Sequence, residues 1–511
     1  KGGQIVEAKM KNFVTYDSIP IYLVKDGNAA FGLNFSSSDN RVLNSKELYF
    51  EPELSGSGGN QVLSMKAKVS ANQFLEYRYE MKPEEYLLDF TIRSQGLNGI
   101  VNGNQPLQLQ WELRGIRHDK SVQYENRYTE VMYKYEDGKV DYMSTTSDDE
   151  ETEEDVQWVS YKQHFFSSIL ATKKNFKTAD LSSKNLVEEE SKETKFTKEF
   201  GTTIPLALEG GEFSENLNWY FGPTDEKVLK QYEEYGLDDS IYFGWGIFGW
   251  INRYVFTPFY GLLSSFLPYG IAIVVMTILV RLAMSPITYK SYLSQAKMKV
   301  LKPEITELGE KYKDNAMKKQ QETMRLYNKA GVNPMSGCIP ALLQLPIFYA
   351  LFMFFPTSFA LRQKSFLWAE DLASYDTIAQ LPFTIPFYGD HVSLFPILAS
   401  VAIFFYMMMT TGQNMQTQPG MPNMKFIMYL SPLLMLFFFN NYASGLSLYY
   451  FISNLITIGI MLVIKRFILD EDKIHAQIQE NKKKPKKENK FQKRMREMME
   501  QAEEQKKAGR R

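Results

Sequence analysis

One cysteine and four histidines are the only thiol and imidazole ligands that this chain offers a transition metal. The lone Cys338 excludes an internal disulfide framework and argues against a cysteine-based structural zinc site. His118, His164, His391 and His475 are scattered without ligand spacing. Equally absent are a nucleophile elbow, a Walker loop, an H-E-x-x-H helix and paired carboxylates at a common site. No signature supports covalent catalysis, so neither an enzymatic activity nor a cofactor or metal is expected. Net charge is small too, 58 Lys and Arg against 59 Asp and Glu giving −1. The chain opens Lys1-Gly2-Gly3-Gln4 without an initiator Met or a signal peptide, so a segment upstream is expected to have been removed or left out.

The near-zero charge conceals a strong asymmetry. Residues 1–240 are polar, residues 241–465 are dominated by Phe, Leu, Ile, Met and Tyr, and the end of the chain is lysine-rich. A length of 511 residues suggests two or more domains. A water-facing head, a membrane body and a basic tail fit this pattern better than one globule.

In the head, Leu107, Leu109, Trp111 and Leu113 alternate with Gln108, Gln110, Glu112 and Arg114, the period-two pattern of a half-buried strand. Leu75, Tyr77, Tyr79 and Met81 alternate with charged neighbours in the same way, and Leu88, Phe90 and Ile92 repeat the pattern after Lys82-Pro83. Several such runs, separated by Gly, Asn and Ser turns, predict a large antiparallel sandwich. The acidic run from Ser147 to Asp155 is expected as a solvated loop. It lacks the glycine and the spacing of an EF-hand calcium loop. Around Gly222-Pro223-Thr224-Asp225 the chain leaves the sandwich, with a short helix expected from Glu226 to Tyr235. The aromatic, glycine-broken stretch from Ile241 to Tyr254 predicts an amphipathic helix on the outer leaflet, its Trp and Tyr at headgroup depth.

Ile271 to Pro286 is an apolar run broken by one charge, Arg281. From the start of the run Arg281 lies roughly 18 Å along a helix. In a hydrocarbon core about 30 Å thick, that places the guanidinium between the midplane and the far face. A charge there either faces protein or water, or snorkels to the nearer interface along its own stem. Periodicity leaves both open. Four more apolar runs lie near 337–356, 393–411, 425–441 and 444–465. The connection from Ser285 to Pro334 carries ten Lys and Arg, whereas that from Thr357 to Val392 carries only Arg362 and Lys364. The positive-inside rule then puts the 285–334 connection and the tail in the cytoplasm and the head outside.

Within the cytoplasmic connection, Met298, Leu301, Ile305, Leu308 and Tyr312 fall at helical spacing, and Met317, Gln321, Met324 and Tyr327 repeat it after Asp314-Asn315. Two amphipathic helices joined by a turn make a helical hairpin. Its apolar stripe either holds the two helices together or meets a partner. The basic tail, from Lys482 through Arg496 to Arg511, is expected to be disordered alone and attracted to polyanions, anionic lipid or ribosomal RNA. Polar residues inside the apolar runs are Thr277, one turn before Arg281, then Gln344, and then Ser453 and Asn454. Pro340 and Pro346 free backbone carbonyls in the second run, tolerable only against protein or water. These polar groups either glue helices together or, with Arg281, line a wet cavity.

Several motifs, in order and at their spacing, resemble one family. Val280-Arg281-Leu282-Ala283-Met284-Ser285-Pro286 followed by Ala296-Lys297-Met298-Lys299 is similar to the first core span and hairpin start of the YidC-type membrane protein insertases. Asn333-Pro334-Met335-Ser336-Gly337-Cys338-Ile339-Pro340 with Gln344-Leu345-Pro346 resembles their second core span, and Ser444-Gly445-Leu446 with Tyr449-Tyr450 and Ser453-Asn454 their last. Trp158-Val159, Lys162-Gln163-His164-Phe165-Phe166 and Phe221-Gly222-Pro223 are similar to the large periplasmic domain of the bacterial branch. Asn441-Tyr442-Ala443 departs from the Trp-Phe-Pro frequent in the family.

The resemblance implies an all-β periplasmic supersandwich (1–235), an interfacial helix (236–262), a five-helix membrane core (263–465, with the hairpin at 286–333) and a basic cytoplasmic tail (466–511). It implies insertion and folding of proteins in the bacterial inner membrane through a hydrophilic groove, alone or beside the Sec translocon. Arg281 would be the groove's charge, attracting acidic residues in client tails, and Thr277 would line it. Gln344, Tyr449 and Asn454 would lie in the same groove, and Leu345, Phe348 and Tyr450 would mark the path of a client helix. The partners implied are nascent membrane proteins, the Sec translocon, anionic lipids, and the ribosome through the tail and hairpin, with no small-molecule substrate. The rival from another class is a transporter or channel, against which stand the lack of an inverted repeat and of paired carboxylates. A sugar-processing head rests on fold analogy alone.

Overall fold

The computed structural model of the chain describes residues 1–483 apart from 57, 104, 192, 209–211, 314, 334–338, 387, 412–423 and 469. Cys338, the Asn333–Cys338 motif beyond its first residue, and the lysine-rich tail after Lys483 lie outside the described residues. The chain divides into two compact units. One comprises Lys1–Ile273, Tyr349–Pro396 and Phe437–Ser447, and the other comprises Val274–Phe348, Ile397–Leu436 and Leu448–Arg511.

In the first unit, alternation becomes strand. Leu107–Ile116 buries Leu107, Leu109, Trp111 and Leu113 on one face. Gln73–Met81 buries Leu75, Tyr77 and Tyr79, and Leu87–Gln95 buries Phe90 and Ile92. Among the described residues, thirteen strands form one antiparallel sheet. The 20-residue strand Phe166–Asn185 is where this sheet folds back on itself. Its residues 166–172 pair with Pro223–Leu217, whereas residues 180–185 pair with Thr203–Lys198. The change of neighbour lets strands on both sides contribute to one core, which includes Phe31, Tyr77, Phe90, Trp111, Phe200 and Trp219. Trp111 stacks on Tyr161 at 3.7 Å and meets Trp219 edge-on at 4.8 Å, the second a geometry that aromatic quadrupoles favour.

The acidic run is a correction to the sequence reading. It is not a loop: Asp149–Gln163 is a 15-residue strand, and Asp149–Glu154 pair in register with Ser183–Thr178. Asp and Glu have poor strand propensity alone, but a long partner supplying Ser and Thr across the ladder outweighs it. The run ends at Asp155, which takes a left-handed φ of 55° beside a register shift.

Beyond the sandwich, Asp225 caps Glu226–Leu229 by accepting from the backbone N–H of Lys227. The expected helix to Tyr235 is thus shorter, passing into a tighter turn at Lys230–Tyr232. A helical stretch follows, Gly246–Ile251, a π turn over Asn252–Phe256, and Thr257–Ser264. It buries Phe256, Tyr260 and Leu263 and exposes Trp245, Ile247, Trp250, Tyr254 and Leu262.

Among the described residues after Ser264 there are eight α-helices: α1 (Tyr269–Val300), α2 (Lys302–Lys311), α3 (Ala316–Ala330), α4 (Ile339–Thr357), α5 (Leu394–Thr411), α6 (Met424–Phe439), α7 (Ser444–Val463) and α8 (Glu471–Lys483). By length and composition two described helices, Tyr269–Val300 and Ser444–Phe467, are apolar enough to cross a membrane, and α4, α5 and α6 include shorter apolar stretches. α1 runs unbroken through Pro286 to Val300, so Met298 sits on it rather than on the hairpin. α2 then starts with Pro303 in its first turn, where the missing N–H removes no helical bond. Asn315 caps α3 by accepting from Lys318 N–H at 3.0 Å. The hairpin packs on a third helix: Leu301, Ala330 and Val332 cluster with Ile474 and Ile478 of α8, and Lys482 reaches Glu304 at 2.5 Å. Residues 471–483, expected as part of the tail, are therefore an ordered amphipathic helix. Ile474 and Ile478, one turn apart, supply the apolar stripe that docks it.

Candidate functional site

The second unit holds Arg281 on α1, and its guanidinium is half-buried. Nε donates to Oγ of Ser453 on α7 at 2.5 Å, and a terminal nitrogen donates to Oε1 of Gln344 on α4 at 3.0 Å. The side chain thus turns between two neighbouring helices instead of running along its own stem. Both acceptors are neutral. Among the described residues no carboxylate lies within ion-pair distance of Arg281, and arginine does not shed its proton. The charge is held in place by dipoles and left uncompensated among the described residues.

Gln344 accentuates that polarity. Its oxygen is used by Arg281, while its Nε2 is buried without a hydrogen-bond partner among the described residues. The amide therefore adds an unused donor beside the cation. Thr277, one turn before Arg281 on α1, is fully buried. One turn beyond Gln344, the Phe348 ring lies 5.4 Å from Tyr450 on α7, and Tyr449 stands nearly perpendicular to Tyr450 at 5.3 Å. Tyr449 and Tyr450 are both buried. A donor-rich polar end and an aromatic wall therefore adjoin within one unit.

A family model described as "YidC periplasmic domain" matches residues 1–258, and one described as "60Kd inner membrane protein" matches residues 261–473. The membrane protein insertase YidC of Parabacteroides distasonis is 39% identical, the match covering 97% of this chain and 80% of that protein. Those of Porphyromonas gingivalis and Bacteroides fragilis are 38% and 36% identical, covering 100% and 95% of this chain and 83% and 79% of theirs. The chain belongs to the YidC membrane protein insertase family.

A solved structure described as "Active YidC insertase crystal structure with the first transmembrane domain resolved" is 19% identical over 91% of this chain and 89% of that one, with a TM-score of 0.35. The family fits the order of the chain, an all-β head followed by a helical region. The two family matches meet between residues 258 and 261, inside the helix Thr257–Ser264.

Not every residue singled out from sequence meets Arg281. Asn454 donates its amide to the Tyr450 carbonyl of its own helix at 2.7 Å. Leu345 is 61% exposed, on the face of α4 beside Gln344 rather than with it. The α7 side chain that meets the cation is instead Ser453, fully buried and bonded directly to it. A signal for it existed: Tyr449, Ser453 and Thr457 repeat every four residues along one face of α7. Among the described residues no group of three or more His, Cys, Asp or Glu could hold a metal ion.

Proposed function

We propose that the chain inserts and folds nascent membrane proteins in the bacterial inner membrane through a groove centred on Arg281, alone or beside the Sec translocon. The observation that carries this reading is the half-buried guanidinium held by Ser453 and Gln344, with no carboxylate among the described residues to neutralise it. A client carboxylate about 4 Å away gains roughly 4 kcal/mol at an effective dielectric near 20. An acidic residue at the centre of a spanning helix costs roughly 2.5–3.5 kcal/mol to insert. The two are comparable, so one fixed cation is enough to lower the barrier for a short acidic tail. The exposed Leu345 and the half-buried Phe348, backed by the buried Tyr450, supply the apolar path along which the client helix would slide.

On this reading α1, α4, α5, α6 and α7 are five spans of a core over residues 263–465. The β head, residues 1–235, is periplasmic, and the hairpin and tail are cytoplasmic. Trp245, Trp250 and Tyr254, exposed on the stretch 236–262, lie at the outer leaflet. The ten cationic residues between Ser285 and Pro334 support the orientation and a contact with anionic lipid or ribosomal RNA. The reading is tested by proteoliposome insertion of a single-span client carrying a short acidic tail, against the same client with the tail neutralised. Purified protein should insert the first faster than the second. Equal rates would remove the groove charge from the mechanism.

A further inference from the structure

The outer face of the large sheet carries a cleft of about 1030 Å³. Five neighbouring strands build it, Asp149–Gln163, Phe166–Asn185, Phe196–Leu206, Leu107–Ile116 and Ala29–Ser36. Register decides which side chains face it, because paired residues share a face and successive residues alternate. Leu181, Thr202, Trp111 and Phe31 form one buried row, directed into the core. The rows on either side therefore face out. One holds Asp180, Thr203 and Gln110, the other Glu150, Ser182, Gly201 and Glu112.

The floor of this cleft is open. A Cβ on Gly201 would stand 2.5 Å from Oγ of Ser182, so a side chain there would displace Ser182 and fill the trough between Glu150 and Glu112. The polar groups of the floor are also unused. Among the described residues Ser182, Thr203 and Gln110, all half-buried, make no side-chain hydrogen bond. The acidic strand itself is a local conflict: Asp149–Glu154 hold an extended ladder against their own propensity, and such conflicts concentrate at functional sites.

Charge and shape select the occupant. Seven carboxylates line the cleft against two cations, Arg114 and Lys184. Both cations stand in one end row with Glu199 between them, and Arg114 also lies over the Phe196 ring at 4.9 Å. In the middle row Lys46 approaches Glu112 to 3.8 Å, whereas Glu150 has no ion pair among the described residues. Glu150 and Glu112 are three strand spacings apart, about 14 Å between Cα atoms, which leaves room for one extended chain between their carboxylates. The hydroxyl and amide groups below would serve its backbone N–H and C=O. Among the described residues the only aromatic in the lining is Phe200, whose ring lies in the core, so a sugar finds no stacking platform.

We propose that this cleft is a docking site for an extended segment of another polypeptide bearing Lys or Arg, its cationic side chains seated between Glu150 and Glu112. The inference stands on the head alone and does not depend on the groove at Arg281.

The test uses the full chain in nanodiscs of zwitterionic lipid and the fluorescence anisotropy of three short labelled peptides, alternating Gly with Lys, with Glu or with Ser. The Lys peptide should bind, the other two should not, and binding should weaken as salt screens the carboxylates. Glu150→Gln and Glu112→Gln should each weaken it about threefold, and together about tenfold, as loss of exposed ion pairs predicts. Glu7→Gln, which removes a carboxylate outside the cleft lining, should leave it unchanged. Gly201→Val fills the trough without changing charge and should weaken binding at least as much as the double variant. An unchanged thermal midpoint certifies its fold, and the isosteric Gln variants carry the test should it fail to fold. The inference is overturned by a Lys peptide that does not bind, or by a Glu or Ser peptide that binds as tightly. Gln variants no weaker than Glu7→Gln, or a folded Gly201→Val that binds like wild type, would overturn it equally.

Discussion

Gln344 accepts a hydrogen bond from Arg281 at 3.0 Å through Oε1 and leaves Nε2 buried without a partner among the described residues. The cation is thereby oriented without being neutralised. A carboxylate at the same position would orient it equally well and cancel its charge. Gln344→Glu is therefore expected to slow insertion of acidic-tailed clients by about tenfold, the worth of roughly 1.4 kcal/mol of lost attraction. A neutral-tailed client should be unaffected. Equal slowing of both clients would mean that the residue acts through packing.

Ser453 is the second neutral acceptor. Ser453→Ala removes the partner of Arg281 Nε and leaves a half-buried charged donor unsatisfied, at a cost of about 1–3 kcal/mol. A lowered thermal midpoint in detergent is expected, while Asn454→Ala, which breaks only a bond within α7, should lower it less. If the two variants melt alike, the Arg281–Ser453 contact has no special weight.

His118 predicts acid sensitivity of the head. Burial lowers it from 6.5 to about 4, and its Nε2 lies 3.1 Å from the Tyr22 carbonyl. The fold binds the neutral ring, so this contribution is complete above the unfolded value and is lost as pH falls from 6.5 toward 4. The full span amounts to about 3 kcal/mol. His118→Gln keeps a donor for Tyr22 and removes the titration. Its loss of thermal stability between about pH 7 and pH 5 should be smaller than that of the wild type. A gap as wide as the wild type's would place the acid lability elsewhere.

Much of this architecture was legible because its signals are local. The Leu107–Leu113 alternation, the apolar runs and the cationic 285–334 connection each declare themselves within a short window. The misses share one cause, a partner distant in sequence. The acidic run at 149–154 reads as solvated until Ser183–Thr178 is set beside it. The 471–483 segment reads as tail until Leu301 and Ala330 receive its isoleucines. Arg281 stands out as the charge within an apolar run, but whether it snorkels or turns inward, and the choice of Ser453 over Asn454 as its partner, depend on how α1 and α7 are rotated. His164 shows the limit most clearly, since its Nε2 lies 2.8 Å from the carbonyl oxygen of Pro356, 192 residues away.

The central claim is that Arg281 acts as an uncompensated charge on client tails. It is tested most directly by protease protection of a single-span client with a short acidic outer tail, inserted into proteoliposomes by wild type, Arg281→Lys and Arg281→Ala. The account predicts that Lys inserts the client, that Ala does not, and that a neutral-tailed client is indifferent to all three. Ala inserting the acidic-tailed client as well as wild type would contradict it.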